Sequence, residues 1–85
     1  MSSQPQISAK SLITKAFSVA RDPRSSEYKA GVFDTLNWHL YGIRDGVPYR
    51  PGTAQADAFY SGREEGLAIC KRESIPLRSQ FLESR

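Results

Sequence analysis

The stretch that decides the fold is residues 53–72, which read TAQADAFYSGREEGLAICKR. Its small residues recur at every fourth position: Ala54, Ala58, Gly62 and Gly66. This spacing places them on one face of an α-helix, and a face without bulky side chains lets a neighbouring backbone approach closely. Thr53 is a suitable N-cap, and Asp57 near the start suits the helix dipole, as does Lys71-Arg72 near the end. The pattern predicts a helix capped by Thr53 and continuing to about Arg72.

A partner for this helix is predicted upstream, from about Ser26 to Ile43. Its large apolar residues recur at steps of three or four: Tyr28, Val32, Leu36, Leu40 and Ile43, with Phe33 beside them. That spacing is typical of an amphipathic helix, and Lys29 and Asp34 fall on the face expected to be exposed. Gly31 would let another backbone come close. We therefore expect the small-residue row to face this stripe, in a hairpin-like pair of helices.

A shorter helix is predicted from about Ser8 to Ala20, with Ser8 as its N-cap. The Asp22-Pro23 step breaks it, and either Asp22 or Ser25 can cap the helix that follows. The segment from Arg44 to Thr53 holds two prolines and two glycines, which cannot continue a helix.

The chain shows no strand-like alternation, so the predicted fold is all-α. We expect a small three-helix domain in which a Pro-Tyr loop joins a pair of helices. Residues 1–7 are predicted to be a flexible N-terminus, residues 8–73 the single helical domain, and residues 74–85 a tail that is loosely docked or flexible.

Composition excludes several classes of protein. The 85 residues include 12 Lys+Arg against 9 Asp+Glu, a net charge of +3, with one Cys and one His. A single cysteine cannot form a disulfide framework, and one Cys with one His cannot form a Cys/His zinc site. No apolar run approaches the roughly 18 residues that span a bilayer, and the N-terminus lacks a secretory signal. The expectation is a soluble, cytoplasmic protein.

No convincing catalytic constellation is visible. His39 lies in the second predicted helix, where a lone histidine is far more often a packing or surface residue than a general base. Cys70 precedes two cations that could activate a thiol, but a small buried hydrophobe is the better interpretation. Glu64 and Glu65 are adjacent, so they point about 100° apart on a helix. We predict a protein that is not an enzyme and has no catalytic, metal or cofactor site.

The aromatic residues are more informative, because several lie next to basic residues in the sequence. Aromatic faces beside arginines can stack on unpaired RNA bases while the cations meet phosphates. Small helical domains also need aromatics to fill a thin core. We expect Phe17, Phe33 and Phe59 in the core and Tyr49 and Tyr60 at the surface, with Trp38 left open between the two.

One segment resembles a known family. From about residue 38 to 70 the chain carries, in order, Tyr41-Gly42, Pro48-Tyr49, and Phe59-x-x-Gly62-x-x-x-Gly66. Their order and spacing resemble the ribosome modulation factor family of small bacterial proteins, and similar small proteins of proteobacteria and their phages. The resemblance implies a two-helix unit that binds ribosomal RNA of the small subunit near the messenger path and helps idle ribosomes to pair.

The leading hypothesis is therefore non-catalytic binding to ribosomal or other structured RNA. The contact is predicted to be lined by Arg44, Tyr49, Arg50 and Arg63, and extended by Lys10 and Lys15. The alternative is a protein-interaction module, such as a phage- or mobile-element-encoded inhibitor or adaptor of a host protein. One continuous positive face would favour RNA, and scattered charge around an apolar patch would favour a protein partner. A symmetric homodimer is compatible with either.

Overall fold

The computed structural model describes residues 8–18, 24–44 and 46–78. It contains three helices, α1 (Ala9–Phe17), α2 (Ser26–Tyr41) and α3 (Ala54–Arg72). No strand occurs within the described ranges, and the predicted all-α class is confirmed. The first helix ends at Phe17, with Ser18 as its C-cap, and so stops about three residues before the predicted end at Ala20. The expectations for residues 1–7 and for 79–85 lie outside the described residues.

Each helix begins at a hydroxyl side chain that the sequence offered as an N-cap. Ser8, Ser25 and Thr53 accept hydrogen bonds from backbone amides of the first turns of α1, α2 and α3. These bonds satisfy donors that a helix start leaves without a partner. The second helix ends two residues earlier than predicted, because Gly42 takes the left-handed conformation, with φ 74°.

Glycine brings α2 and α3 into backbone contact. A Cβ atom on Gly31 would overlap the carbonyl oxygen of Phe59, and one on Gly62 would overlap the carbonyl oxygen of Tyr28. A Cβ on Gly66 would lie 2.7 Å from the Cβ of Thr35. No larger residue fits these positions without moving a helix. The expected close approach at Gly31 and along the small-residue row is confirmed for these three glycines.

The two helices run in the same direction where they pack. Gly31 lies against Phe59, and Thr35, one turn later, donates its hydroxyl to the backbone oxygen of Arg63, one turn after Phe59. In an αα-hairpin the helices are antiparallel, so a residue one turn after Gly31 would contact a residue before Phe59 rather than after it. The hairpin-like arrangement was therefore wrong. The segment 42–53 returns along α2, which its twelve residues allow, with a reach of about 40 Å against about 24 Å of helix.

The core lies between α1, one face of the α2–α3 pair, and the chain after α3. Its buried residues are Ala9, Leu12, Val32, Leu36, Ile69, Cys70 and Ile75. Because α1 and α3 cover different sides of α2, burial does not follow the single apolar stripe that the sequence suggests. Phe33 is 42% exposed, which contradicts its assignment to the core, and Asp34 is buried rather than exposed. Ala54, at the start of the small-residue row, is also exposed.

The chain turns sharply after α3 and packs back on the domain. Ser74 has φ 59°, and the amide of Ile75 donates to the carbonyl oxygen of Cys70 at 2.8 Å, which closes the helix end. Ile75 is buried in the core, and the amide of Arg78 donates to Nδ1 of His39 at 2.8 Å. Packed structure thus continues past residue 73 to Arg78.

None of the helices in the described part of the chain combines the length and apolarity needed to cross a membrane.

The glycine contact predicts a large cost for adding a single methyl group. We expect Gly62→Ala to lower the free energy of unfolding by about 3 kcal/mol, because the new Cβ must displace backbone rather than a flexible side chain. Gly46→Ala is the matched control, since nothing lies within 4 Å of a Cβ there and its φ is not positive. Urea unfolding of both variants checks this. Equal stability of the two would contradict the packing.

Candidate functional site

A buried carboxylate shared by two arginines lies on the side of α2 that faces the returning loop and α3. Nε of Arg63 donates to Oδ2 of Asp34 at 2.9 Å, and Nε of Arg44 lies 3.4 Å from the same oxygen. The side chain of Asp34 is only 8% exposed, against 15% for Arg44 and 23% for Arg63. Two guanidinium groups therefore meet at one carboxylate oxygen, and we call Asp34, Arg44 and Arg63 the Asp34 cluster.

The glycine packing positions this cluster. Because Gly31 lies against Phe59, Asp34 and Arg63, each about one turn further along its helix, meet across the same interface. The guanidinium of Arg63 also lies over two aromatic rings, 5.0 Å from the ring centre of Phe59 and 5.5 Å from that of Tyr60. Such cation–π contacts hold the guanidinium in place.

A third guanidinium, that of Arg78 in the chain after α3, lies near the C-terminal end of α2. Cζ of Arg44 lies 5.1 Å from the ring centre of Trp38, and Cζ of Arg78 lies 6.0 Å from it. Trp38, whose environment the sequence left open, is buried. Burial lowers the pKa of Arg44; the charge of Asp34 opposes this effect, and the charge of Arg63 adds to it. Arg44 remains a cation at any physiological pH.

The structure brings together part of the predicted contact set. The ring of Tyr49 packs edge-on against Phe59, at 5.8 Å between ring centres, and Phe59 in turn lies under Arg63. Arg44 meets Arg63 at Asp34, and Arg50, next to Tyr49, is exposed. Four of the predicted residues therefore belong to one region: Arg44, Tyr49, Arg50 and Arg63.

The other two predicted residues lie elsewhere. Lys10 and Lys15 are exposed on α1, and Nζ of Lys15 lies 3.3 Å from a carboxylate oxygen of Glu73, just after the end of α3. Glu73 is about 15 Å along the axis of α3 from Arg63. Lys15 therefore belongs to a different part of the surface from the Asp34 cluster.

A cleft next to the cluster was not predicted from the sequence. It has a volume of about 220 Å³ and lies between α2, the returning loop and Phe59. Its lining residues are Ala30, Phe33, Asp34, Asn37, Ile43, Gly46, Pro48 and Phe59. Ile43 is 54% exposed, because it follows the end of α2 rather than continuing the apolar stripe. Only the return path of the loop creates this cleft, and helical periodicity carries no signal for it.

Tyr60 confirms its predicted surface position, with 49% of its area exposed, whereas Tyr49 is half-buried against Phe59. Phe59 is buried, as expected, and Phe17 is half-buried against the core. The aromatic residues exposed near the Asp34 cluster are thus Phe33 and Tyr60.

His39 is buried behind the cluster. Its Nδ1 accepts the amide hydrogen of Arg78, so the neutral ring carries its proton on Nε2, a buried atom with no hydrogen-bond partner among the described residues. Burial lowers the pKa of His39, and the charges of Arg44 and Arg78 lower it further. The ring is therefore neutral at neutral pH and serves to hold the chain after α3.

The structure also describes the surroundings of the free cysteine and of the possible metal ligands. Cys70 is a free cysteine in the core, and burial raises the pKa of its thiol, which keeps it protonated and unreactive. Within the described ranges, no three His, Cys, Asp or Glu side chains come together in a way that could hold a metal ion. The site therefore presents a pair of guanidinium groups at one carboxylate, exposed aromatic surface and a cleft.

Comparison with protein-family models, with curated proteins and with solved structures found no match to this chain.

Removal of the shared carboxylate tests how much it contributes to the stability of the fold. We expect Asp34→Ala to lower the free energy of unfolding by about 3 kcal/mol, because two partly buried guanidinium groups lose the carboxylate that they share. Glu64→Ala removes an exposed carboxylate from α3 and should change stability by less than about 0.5 kcal/mol. Thermal or urea unfolding measures both, and an Asp34→Ala variant as stable as Glu64→Ala would refute the interaction.

The buried histidine predicts a pH dependence. With its folded pKa below the ordinary value of 6.5, His39 favours the folded state fully above pH 6.5, and this contribution is lost as pH falls through the folded pKa. We expect the melting temperature to fall as pH is lowered below about 6.5. His39→Asn keeps an acceptor for the Arg78 amide without a titrating ring, so its melting temperature should vary less over this range. Identical pH profiles would contradict the assignment.

Proposed function

We propose that this chain is a non-catalytic RNA-binding protein, similar to the ribosome modulation factors, that binds ribosomal or other structured RNA. The observation that carries the proposal is the Asp34 cluster, which brings the guanidinium groups of two arginines together at one carboxylate. Guanidinium groups are well suited to contact phosphate oxygens, because their donors form a planar fork. Such a role belongs in the cytoplasm.

Aromatic surface beside the cluster supports the same proposal. Tyr60, about half exposed, lies next to the guanidinium of Arg63, and Phe33 is exposed at the cleft on the other side of Asp34. Proteins that bind single-stranded segments of RNA combine cations for the backbone with aromatic rings for the bases. The resemblance of residues 38–70 to the ribosome factors points to the ribosome as the first target to test.

A second candidate is a protein-interaction module, such as a phage- or mobile-element-encoded inhibitor or adaptor. A specific observation favours it: Phe33 and Ile43 are both exposed at the cleft, and exposed apolar surface is typical of protein contacts. The basic side chains on α1, remote from the Asp34 cluster, also fit the scattered charge that such a module would show.

Sedimentation separates the two candidates. The tagged protein should travel with ribosomal particles through a sucrose gradient at low salt and leave them as salt rises, because phosphate contacts weaken with salt. Treatment of a bacterial lysate with RNase before affinity capture should abolish the association. Capture of one defined protein that resists RNase, with no sedimentation on ribosomes at any salt concentration, would favour the second candidate and contradict the first.

An exposed arginine near the cluster tests the contact surface without disturbing the fold. We expect Arg50→Ala to weaken binding to ribosomal RNA and to reduce by about 1 the slope of log affinity against log salt, because one phosphate contact is lost. Lys71→Ala removes the same charge from the far end of α3 and is the matched control, with an unchanged slope expected. Binding measured across a salt series decides this. Equal losses in both variants would place the contact elsewhere.

A further inference from the structure

We infer that the cleft between α2 and the returning loop holds one unpaired nucleobase of the bound RNA, with a preference for bases that carry an exocyclic amino group. This inference rests on the proposed RNA binding and names the part of the RNA that the site would recognise. It is carried by three features of the cleft: its size, its exposed ring and its polar atoms.

The size of the cleft suits a single planar ring. Its volume of about 220 Å³ is below the roughly 300–1,000 Å³ of sites that hold drug-sized ligands. Phe33 and Ile43 leave about half of their surface open at the cleft, and Pro48 stands opposite α2 on the returning loop. An exposed phenylalanine ring is a stacking surface that every base can use, since every base has a π face.

The polar atoms of the cleft supply a preference among bases. Both arginines bind Oδ2 of Asp34, and Oδ1 takes no hydrogen bond from any residue in the described part of the chain. A carboxylate oxygen accepts and never donates, so it favours an amino group, such as N4 of cytosine, over a carbonyl oxygen. Uracil has no amino group, and its N3–H donor lies between two carbonyl oxygens that a carboxylate repels, so the carboxylate disfavours it. The amide of Asn37 also lines the cleft and can both donate and accept.

The phosphate next to the base would have a partner of its own. Asp34 belongs both to the cleft and to the arginine cluster, so a base in the cleft places its backbone close to Arg44 and Arg63. Guanidinium groups suit such a contact, because their donors form a planar fork that matches phosphate oxygens. One side chain thus links the position that reads the base to the position that attracts the phosphate.

The test measures binding of short labelled single strands by fluorescence anisotropy at low salt. Wild-type protein should bind oligo(C) more tightly than oligo(U), and both more tightly than a duplex, whose bases are stacked inside. Phe33→Ala should weaken oligo(C) binding about 5- to 150-fold, since a stacked ring contributes about that much, and Phe33→Tyr should retain it. Leu77→Ala, another exposed apolar residue, is the control. Melting temperatures of all variants establish that they fold.

A second variant keeps the test independent of stacking. Asp34→Asn replaces one carboxylate oxygen with an amide NH₂ donor, so it should reduce the ratio of oligo(C) to oligo(U) affinity. If wild-type protein binds RNA in a salt-dependent way, but Phe33→Ala binds like wild type and folded Asp34→Asn keeps the wild-type ratio, the base site is refuted and the proposed function stands. If wild-type protein binds no RNA at all, the proposed function fails with it. Loss of a defined protein partner in Phe33→Ala, with RNA affinity unchanged, would assign the cleft to a protein segment and overturn the inference.

Discussion

Everything in this small domain depends on the backbone contact that three glycines allow between α2 and α3. Gly31 lies under the Phe59 carbonyl, Gly62 under that of Tyr28, and Gly66 against Thr35. Small residues at four-residue spacing let two helices approach until backbone meets backbone, as in close helix pairs elsewhere. A small domain with few large apolar residues thereby achieves close packing without a large hydrophobic core. The same contact sets the register of the two helices.

That register determines the chemistry of the surface. Asp34 meets Arg63 only because each follows its own close contact by about one turn, and Arg44 reaches the same carboxylate from beyond the end of α2. A shift of one residue along either helix would turn one partner by about 100° and break the pair. The cation cluster is thus a consequence of how the glycines seat the helices, and not of any basic run in the sequence.

Local features of this fold could be predicted from the sequence, and relations between helices could not. The caps at Ser8 and Thr53 and the small-residue face follow from side-chain chemistry and from spacing within one helix. The burial of Asp34 and the exposure of Phe33 depend on which sides of α2 are covered by α1 and α3, and periodicity in one helix does not report this. For the candidate site, the sequence placed Arg44 and Arg63 in one predicted RNA contact, but the carboxylate that they meet was assigned to the exposed face of α2 and is buried.

The parallel course of α2 and α3 also sets a lower limit on the length of their connection. To bring the start of α3 back to the start of α2, the chain must travel about 24 Å, which takes at least seven extended residues. The segment 42–53 has twelve, so about five are surplus to the return journey. An antiparallel pair could be joined by two to five residues and would leave α2 bare on that side. The extra residues let Gly46 and Pro48 lie away from α2 and line the opposite side of the cleft. The cleft therefore exists because the connection is longer than the return path requires.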